Sequence, residues 1–374
     1  MAVSRPTHVR AMRSRIAGVD AARGLALIGM FVAHVAPGAG DQLWDSVIAI
    51  ADERPRLLFA LTAGAGLGLL TGGIDPVREP VDRMTLRRQI AIRAVLLIAL
   101  GVLVVALFRP LVFVILDVYG VAFLVMLPLL FVPSRVAVPL GAGLLVVTPA
   151  IVELAGRSSG LAEVADGPAG ILVEWFLLGA YPVVIWVPVM LIGLGLARAG
   201  LERAGTLARA AIAAAAVLPL TLPIAVLLPG ATDIARVPET TAWSIPVRAS
   251  LETVGNTAVG VLVLAGTTAL LGLAADPVRR MAGVALSPFT AMGAMPLTVY
   301  TLHLVVIANA KYVREDGVVT DDSWALLIGL IVGSATFALL WRRYAGIGPL
   351  ERFFRWASGR SRTDPGDPTS DPVA

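Results

Sequence analysis

Apolar runs long enough to cross a bilayer recur through the whole chain, and this limits what it can fold into more than any other feature. A helix rises about 1.5 Å per residue, so about 20 apolar residues span the hydrocarbon core. Such windows fall at residues 16–36, 56–73, 89–108, 111–132, 136–153, 175–197, 208–228, 252–273, 286–309 and 323–341. No water is available there to the backbone amides and carbonyls, so each segment must satisfy its own. The sequence therefore predicts an all-α, polytopic integral membrane helix bundle of about ten transmembrane helices. Composition agrees, with 57% of the 374 residues hydrophobic and 15% charged.

Basic residues set the direction of the bundle. Arg5, Arg10, Arg13 and Arg15 precede the first window, and Arg83, Arg87, Arg88, Arg198, Arg203, Arg279, Arg280, Arg342 and Arg343 fall in alternate connections. Because cytoplasmic loops collect arginine and lysine, this pattern predicts that both termini are cytoplasmic. The expected organisation is a basic N-terminus (1–15), one membrane domain (16–342) and a cytoplasmic C-terminal segment (343–374) whose tail, "RTDPGDPTSDPVA", is expected to be disordered. "MRSR" before an apolar run resembles a secretory signal. The length of that run and the charges inside it predict a retained helix instead. The connections 155–170 and 230–250 are long and expected to cap an outward cavity.

Several function classes fall away. The chain has no cysteine, which removes disulfides, thiolate metal sites and an acyl-cysteine intermediate. Three scattered histidines make no metal site, so none is expected. The pI of about 9.9 reflects arginines at one membrane face rather than affinity for nucleic acid; the expected partner is the lipid bilayer.

Ionisable residues inside the spans are costly and mark candidate sites. In "GVDAARGLALIGMFVAHVAPG", Arg23 and His34 are eleven residues apart, about 20° past three full turns, so they share a helix face about 16 Å apart. Asp20 joins them one turn earlier. Arg23 is placed in the inner leaflet and His34 at the outer end. The ninth window, "LSPFTAMGAMPLTVYTLHLVVIAN", carries Tyr300 and His303 at i and i+3, with His303 also in the outer leaflet. Asp117 lies about two turns below the outer surface in the fourth window. Structural alternatives stay open for each: His34 as a wetted helix end, His303 as a satisfied core residue, Asp117 as a partner of Arg93 or Arg109, and Arg23 snorkelling to phosphates with Asp20 beside it. In the second window, Ala60, Gly64, Gly68 and Gly72 recur every four residues. That small-residue ridge suits close helix packing, with approach of a ligand as the alternative. Breaks are anticipated at Pro128, Pro182, Pro188 and Pro296.

"RGLALIGMFVAH", an arginine and a histidine separated by ten residues, resembles the pattern of transmembrane acyltransferases, in both the acyltransferase type 3 and heparan-α-glucosaminide N-acetyltransferase groups. "RPRLLFALTAGAGLGLLTGG", "VYGVAFLVMLPLLF", "YPVVIWVPVMLIGLGLAR" and "MPLTVYTLHLVV" resemble bacterial members of the latter group. These overlap with YeiB-like proteins carrying the domain of unknown function 418. The resemblance covers most of residues 16–355 and implies an enzyme moving an acyl group, usually acetyl, from cytoplasmic acyl-CoA to a hydroxyl or amine acceptor outside, such as a cell-envelope glycan. It implies a bacterial plasma membrane location. Under it, Arg23, Asp20 and Arg93 are assigned to the acyl-CoA donor. His34 is the general base, Asp117 or His303 an orienting partner, and Tyr300 a hydrogen-bond donor to the acyl oxygen. A secondary transporter of a small solute, built on the same intramembrane polar residues, is the main alternative, and a non-catalytic envelope protein the third.

Overall fold

The computed structural model describes residues 15–38, 53–229, 242–314 and 317–359, and almost everything in them is helix. Among the described residues, six helices are long and apolar enough to cross a membrane: α1 (Ala17–Val35), α3 (Pro80–Phe108), α5 (Ser134–Ala155), α9 (Ala204–Val226), α10 (Ser244–Gly272) and α14 (Trp324–Tyr344). Two bent pairs raise the number to eight. One joins Gly170–Leu178, made of α7 (Gly170–Val173) and a π-helical turn (Glu174–Leu178), to α8 (Val183–Ala199) at 49°. The other joins α12 (Ser287–Ala294) to α13 (Pro296–Asn309) at 91°. The shorter α2 (Arg54–Leu70) and α4 (Leu116–Met126) complete the interior. Connecting helices are α6 (Ser159–Ala165), α11 (Asp276–Ala285) and α15 (Pro349–Ala357), and a two-stranded ribbon pairs β1 (Tyr312–Val313) with β2 (Val319–Thr320).

The structure corrects several expected boundaries. Residues 111–132 do not form one spanning helix: α4 starts only at Leu116 and ends at Met126, just ahead of Pro128, and Arg109 closes α3 in the left-handed region at φ 47°. The ninth window breaks at Met295, where Pro296 has no amide to donate. Proline also separates the π-turn from α8 at Pro182, whereas Pro188 stays inside an unbroken helix. The 155–170 connection contains α6, capped by Ser158 Oγ accepting from Leu161 N–H. Residues 244–250 of the second long connection belong to α10, which starts eight residues before the expected window. Residues 1–14, 230–241 and 360–374, including most of the basic N-terminus and the polar tail, lie outside the described residues.

Glycine sets how closely the central helices meet. A Cβ at Gly64 would collide with the Met190 carbonyl and one at Gly68 with Ala197, while Gly193 is reciprocally closed by the Leu61 carbonyl. The ridge on α2 is therefore a packing seam against α8. Gly72 falls beyond the helix, in a turn with φ 129° that only glycine adopts without strain. Another reciprocal pair joins α1 to α12: Gly24 is closed by Phe289, and Gly293 by the Asp20 carbonyl.

Candidate functional site

The break between α12 and α13 creates the site. Breaking a helix inside an apolar bundle leaves carbonyls at the first half's end and amides at the second half's start, each needing a partner. Charged side chains supply both. Arg15 donates to the Ala294 carbonyl (2.8 Å) and Arg23 to the Gly293 carbonyl (3.2 Å), favourable at a helix C-terminus. Asp20 holds both cations, 3.3 Å from Arg15 and 3.4 Å from Arg23. On the other side, Glu351 of α15 accepts from the amides of Leu297 (2.7 Å) and Thr298 (3.1 Å) and from the Thr298 hydroxyl (2.5 Å).

Beside this break lies a cavity of about 520 Å³, within the usual range for small-molecule sites. Arg15, Asp20, Glu351 and Arg355 line it at the end where α1 begins, and Tyr300 with Ile115 lines it farther along. Its walls are otherwise largely apolar, from Val19, Phe59, Ile90 and Leu97 among others. Four arginines against two carboxylates leave it cationic, with Arg93 inside the apolar stretch.

Tyr300 marks the passage from cavity to histidines. Its hydroxyl accepts from Ile115 N–H at 3.2 Å, which leaves the O–H proton directed at no acceptor among the described residues. Its backbone carbonyl lies 2.5 Å from His303 Nδ1, and His303 Nε2 lies 3.1 Å from His34 Nδ1. A carbonyl can only accept, so His303 Nδ1 carries the proton and donates it. Neutral His303 then offers the lone pair of Nε2 to the Nδ1–H of His34. Among the described residues nothing bonds the Nε2 of His34, so this chain of bonds leaves its lone pair available, the arrangement a general base requires. His303 is wholly buried against Phe31 and Tyr300, whereas His34 is partly exposed.

The predicted residues thus divide. His34, His303 and Tyr300 come together, and Asp20, Arg23 and Arg93 line the cavity. The histidines do not line the cavity, and Tyr300 stands between. Asp117 bonds neither histidine, Arg93 nor Arg109. Its Oδ2 accepts from Trp175 Nε1 (2.9 Å), on the π-turn, and its Oδ1 is buried without a partner among the described residues. Arg23 is largely committed to backbone, donating to Thr62 (3.0 Å) as well as Gly293. Sequence reading missed Glu351, Tyr119 and Trp175. Glu351 was assigned to a segment outside the membrane domain; the only hint was its place in the amphipathic pattern "PLERFFRWA". Among the described residues, no three His, Asp or Glu side chains cluster as metal ligands do.

The family model described as heparan-alpha-glucosaminide N-acetyltransferase, catalytic, matches residues 15–225. A second, described as a protein of unknown function (DUF418), matches residues 196–361. No curated protein matches the chain.

Proposed function

Since the chain belongs to the heparan-alpha-glucosaminide N-acetyltransferase catalytic family, we propose that it is a membrane acyltransferase that moves an acetyl group from acetyl-CoA to a hydroxyl or amine acceptor such as a cell-envelope glycan. In this reading the chain crosses a bacterial plasma membrane several times with both termini in the cytoplasm, as the arginine asymmetry supports. The donor enters at the Arg15 and Arg355 end, and the acceptor reaches His34 from the other side.

The observation that carries the reading is the sequence of groups from cavity to histidines. The cationic mouth suits the phosphates of CoA, and the apolar stretch suits its arm. His34 Nε2 takes the acceptor's proton as the acceptor oxygen or nitrogen bonds to the acyl carbon. His303, by accepting from His34 Nδ1–H, fixes the tautomer that leaves Nε2 free. Charge developing on the acyl oxygen takes a hydrogen bond from the Tyr300 hydroxyl. The carbon–sulfur bond breaks, and the departing thiolate recovers the proton from His34.

Proteoliposomes supplied with labelled acetyl-CoA on one face and candidate amines or glycans on the other test this directly. Acetylated acceptor from wild type, lost in His34→Ala with folding intact, supports it. Failure of wild type to bind or consume acetyl-CoA with any acceptor overturns it. One observation favours a second reading: the 91° break presents helix ends to a cavity, as transporters do. Solute flux without acetyl-CoA consumption in the same vesicles selects that reading.

A further inference from the structure

Two polar groups of the cavity are left over when its structural bonds are assigned. The Tyr119 hydroxyl is buried and has no hydrogen-bond partner among the described residues, and the same holds for Arg93 Nε. Arg93 makes no hydrogen bond or ion pair to any described residue. Both line the cavity. Buried polar groups are normally satisfied, and of the nine buried side-chain polar atoms without a hydrogen-bond partner among the described residues, these two belong to residues that line one cavity, which points to a partner that arrives with the ligand.

The surroundings say what that partner must be. Arg93 can only donate, and Tyr119 donates its one proton. The cavity's two carboxylates are already engaged, Asp20 by Arg15 and Arg23, and Glu351 by the start of α13. The free polar capacity here is a set of donors set among Phe59, Phe123, Leu97 and Ile90. That is the complement of a slender, largely apolar chain carrying carbonyl oxygens. Packing fixes the place of the Tyr119 ring: it meets Trp186 edge-on at 5.1 Å and Phe59 at 5.3 Å, and Phe59 also stacks on Tyr300 at 6.4 Å. Tyr119 and Tyr300 therefore flank one phenylalanine, with Tyr119 on α4 and the break-borne Tyr300 on α13.

Resting on the acyltransferase reading, we infer that Tyr119 and Arg93 form a carbonyl-binding step that grips the amide oxygens of the donor's arm and sets how far the thioester advances toward Tyr300. They are positioning residues: Tyr119 orients, Arg93 anchors, and neither transfers the acyl group. The step makes the enzyme selective for thioesters whose arm carries amides.

A structural role and this role predict opposite signs for one substitution. Tyr119→Phe removes a hydroxyl that bonds nothing in the free protein, so the purified variant should melt at the same temperature as wild type or higher. Its KM for S-acetylpantetheine, which carries two amides, should rise about tenfold with kcat little changed. Its KM for S-acetylhexanethiol, which carries none, should stay within about twofold. Arg93→Met should behave in the same way. Direct titration with pantetheine gives a readout free of turnover and should show the same weakening. If wild type binds pantetheine and the variants bind it weakly while no acceptor is acetylated, the step stands and the acyltransferase reading falls. If wild type acetylates its acceptor and Tyr119→Phe changes neither KM nor pantetheine affinity, or lowers the melting temperature, the inference falls and the acyltransferase reading remains.

Discussion

Arg198 and Arg93 are both arginines inside an apolar bundle, and they are used in opposite ways. Arg198, at the end of α8 and only 5% exposed, donates to the carbonyls of Gly68 (3.1 Å), Gly73 (2.7 Å) and Leu130 (2.7 Å) and to the Thr71 hydroxyl (2.6 Å). It ties the turn after α2 to the turn after α4 and fastens both to α8. Arg93 faces a cavity and bonds none of its neighbours. Burial alone is therefore no sign of function in this protein. Arg198, with its two terminal nitrogens bonded to three carbonyls and a hydroxyl, is architecture, whereas the donors of Arg93 bond no described residue and are the ones the proposed donor arm would engage.

The largest expected effect tests the first half of that contrast. Arg198→Ala strands three backbone carbonyls and should cost about 3–5 kcal/mol of stability, read as thermal unfolding of the purified protein. Arg198→Lys should recover only part of this, because one ammonium cannot replace a fork reaching two turns at once. A wild-type melting temperature for Arg198→Ala would break the contrast.

The histidine pair repeats the contrast at smaller scale. Both nitrogens of His303 are engaged, whereas one nitrogen of His34 is bonded by no described residue. His34→Ala should lower kcat/KM on the order of 1,000-fold, about 4 kcal/mol of transition-state stabilisation, with little change in unfolding. His303→Gln presents an amide oxygen that can accept from His34 Nδ1–H, and should keep about ten times the activity of His303→Leu. Equal loss in the two His303 variants would mean that the tautomer of His34 does not matter.

A third comparison sets Arg23 beside Arg93. Arg23→Met strands the Gly293 and Thr62 carbonyls and half the partners of Asp20, so it should lose about 2–4 kcal/mol of stability. Arg93→Met should lose none, its loss showing in donor KM alone. If the two variants melt alike, consumed and unconsumed donors do not separate structure from function here.

Much of this was legible in the sequence for identifiable reasons. Apolar windows announce helices because a bilayer leaves the backbone few other ways to satisfy itself; the described residues are almost all helix, with six to eight spans among them rather than ten clean ones. His34 and His303 were placed at one depth by counting residues, and they touch. The ridge of Gly64 and Gly68 was readable because only small residues admit a helix so closely. What stayed hidden depends on long-range partners. Nothing local distinguishes Arg198 from the loop arginines with which it was counted, since its acceptors come from turns 68 and 125 residues away. Asp117 has the right depth for a histidine partner, yet the π-turn delivers Trp175 to it instead. Glu351 looked like part of a cytoplasmic tail because the break it caps lies more than 50 residues earlier.

The smallest expected effect asks how far the rule extends. Asp321, in the turn leading into α14, is 4% exposed, and its Oδ2 is buried without a partner among the described residues. Burial raises its carboxyl above the usual range. Its own backbone amide opposes this, Asp322 adds repulsion, and Lys311 pulls the other way. A carboxyl raised on folding stabilises the native state most below its unfolded value near 3.9, and that contribution is lost as pH rises through the folded value. Asp321→Asn should therefore melt slightly higher than wild type at about pH 8 and match it near pH 4. Asp321 does not line the cavity beside the α12–α13 break, so acetyl transfer should not change. If transfer falls while stability rises, an unsatisfied group marks function here even without a cavity; if stability falls at pH 8, the buried oxygen has a partner after all and the rule is confined to the cavity walls.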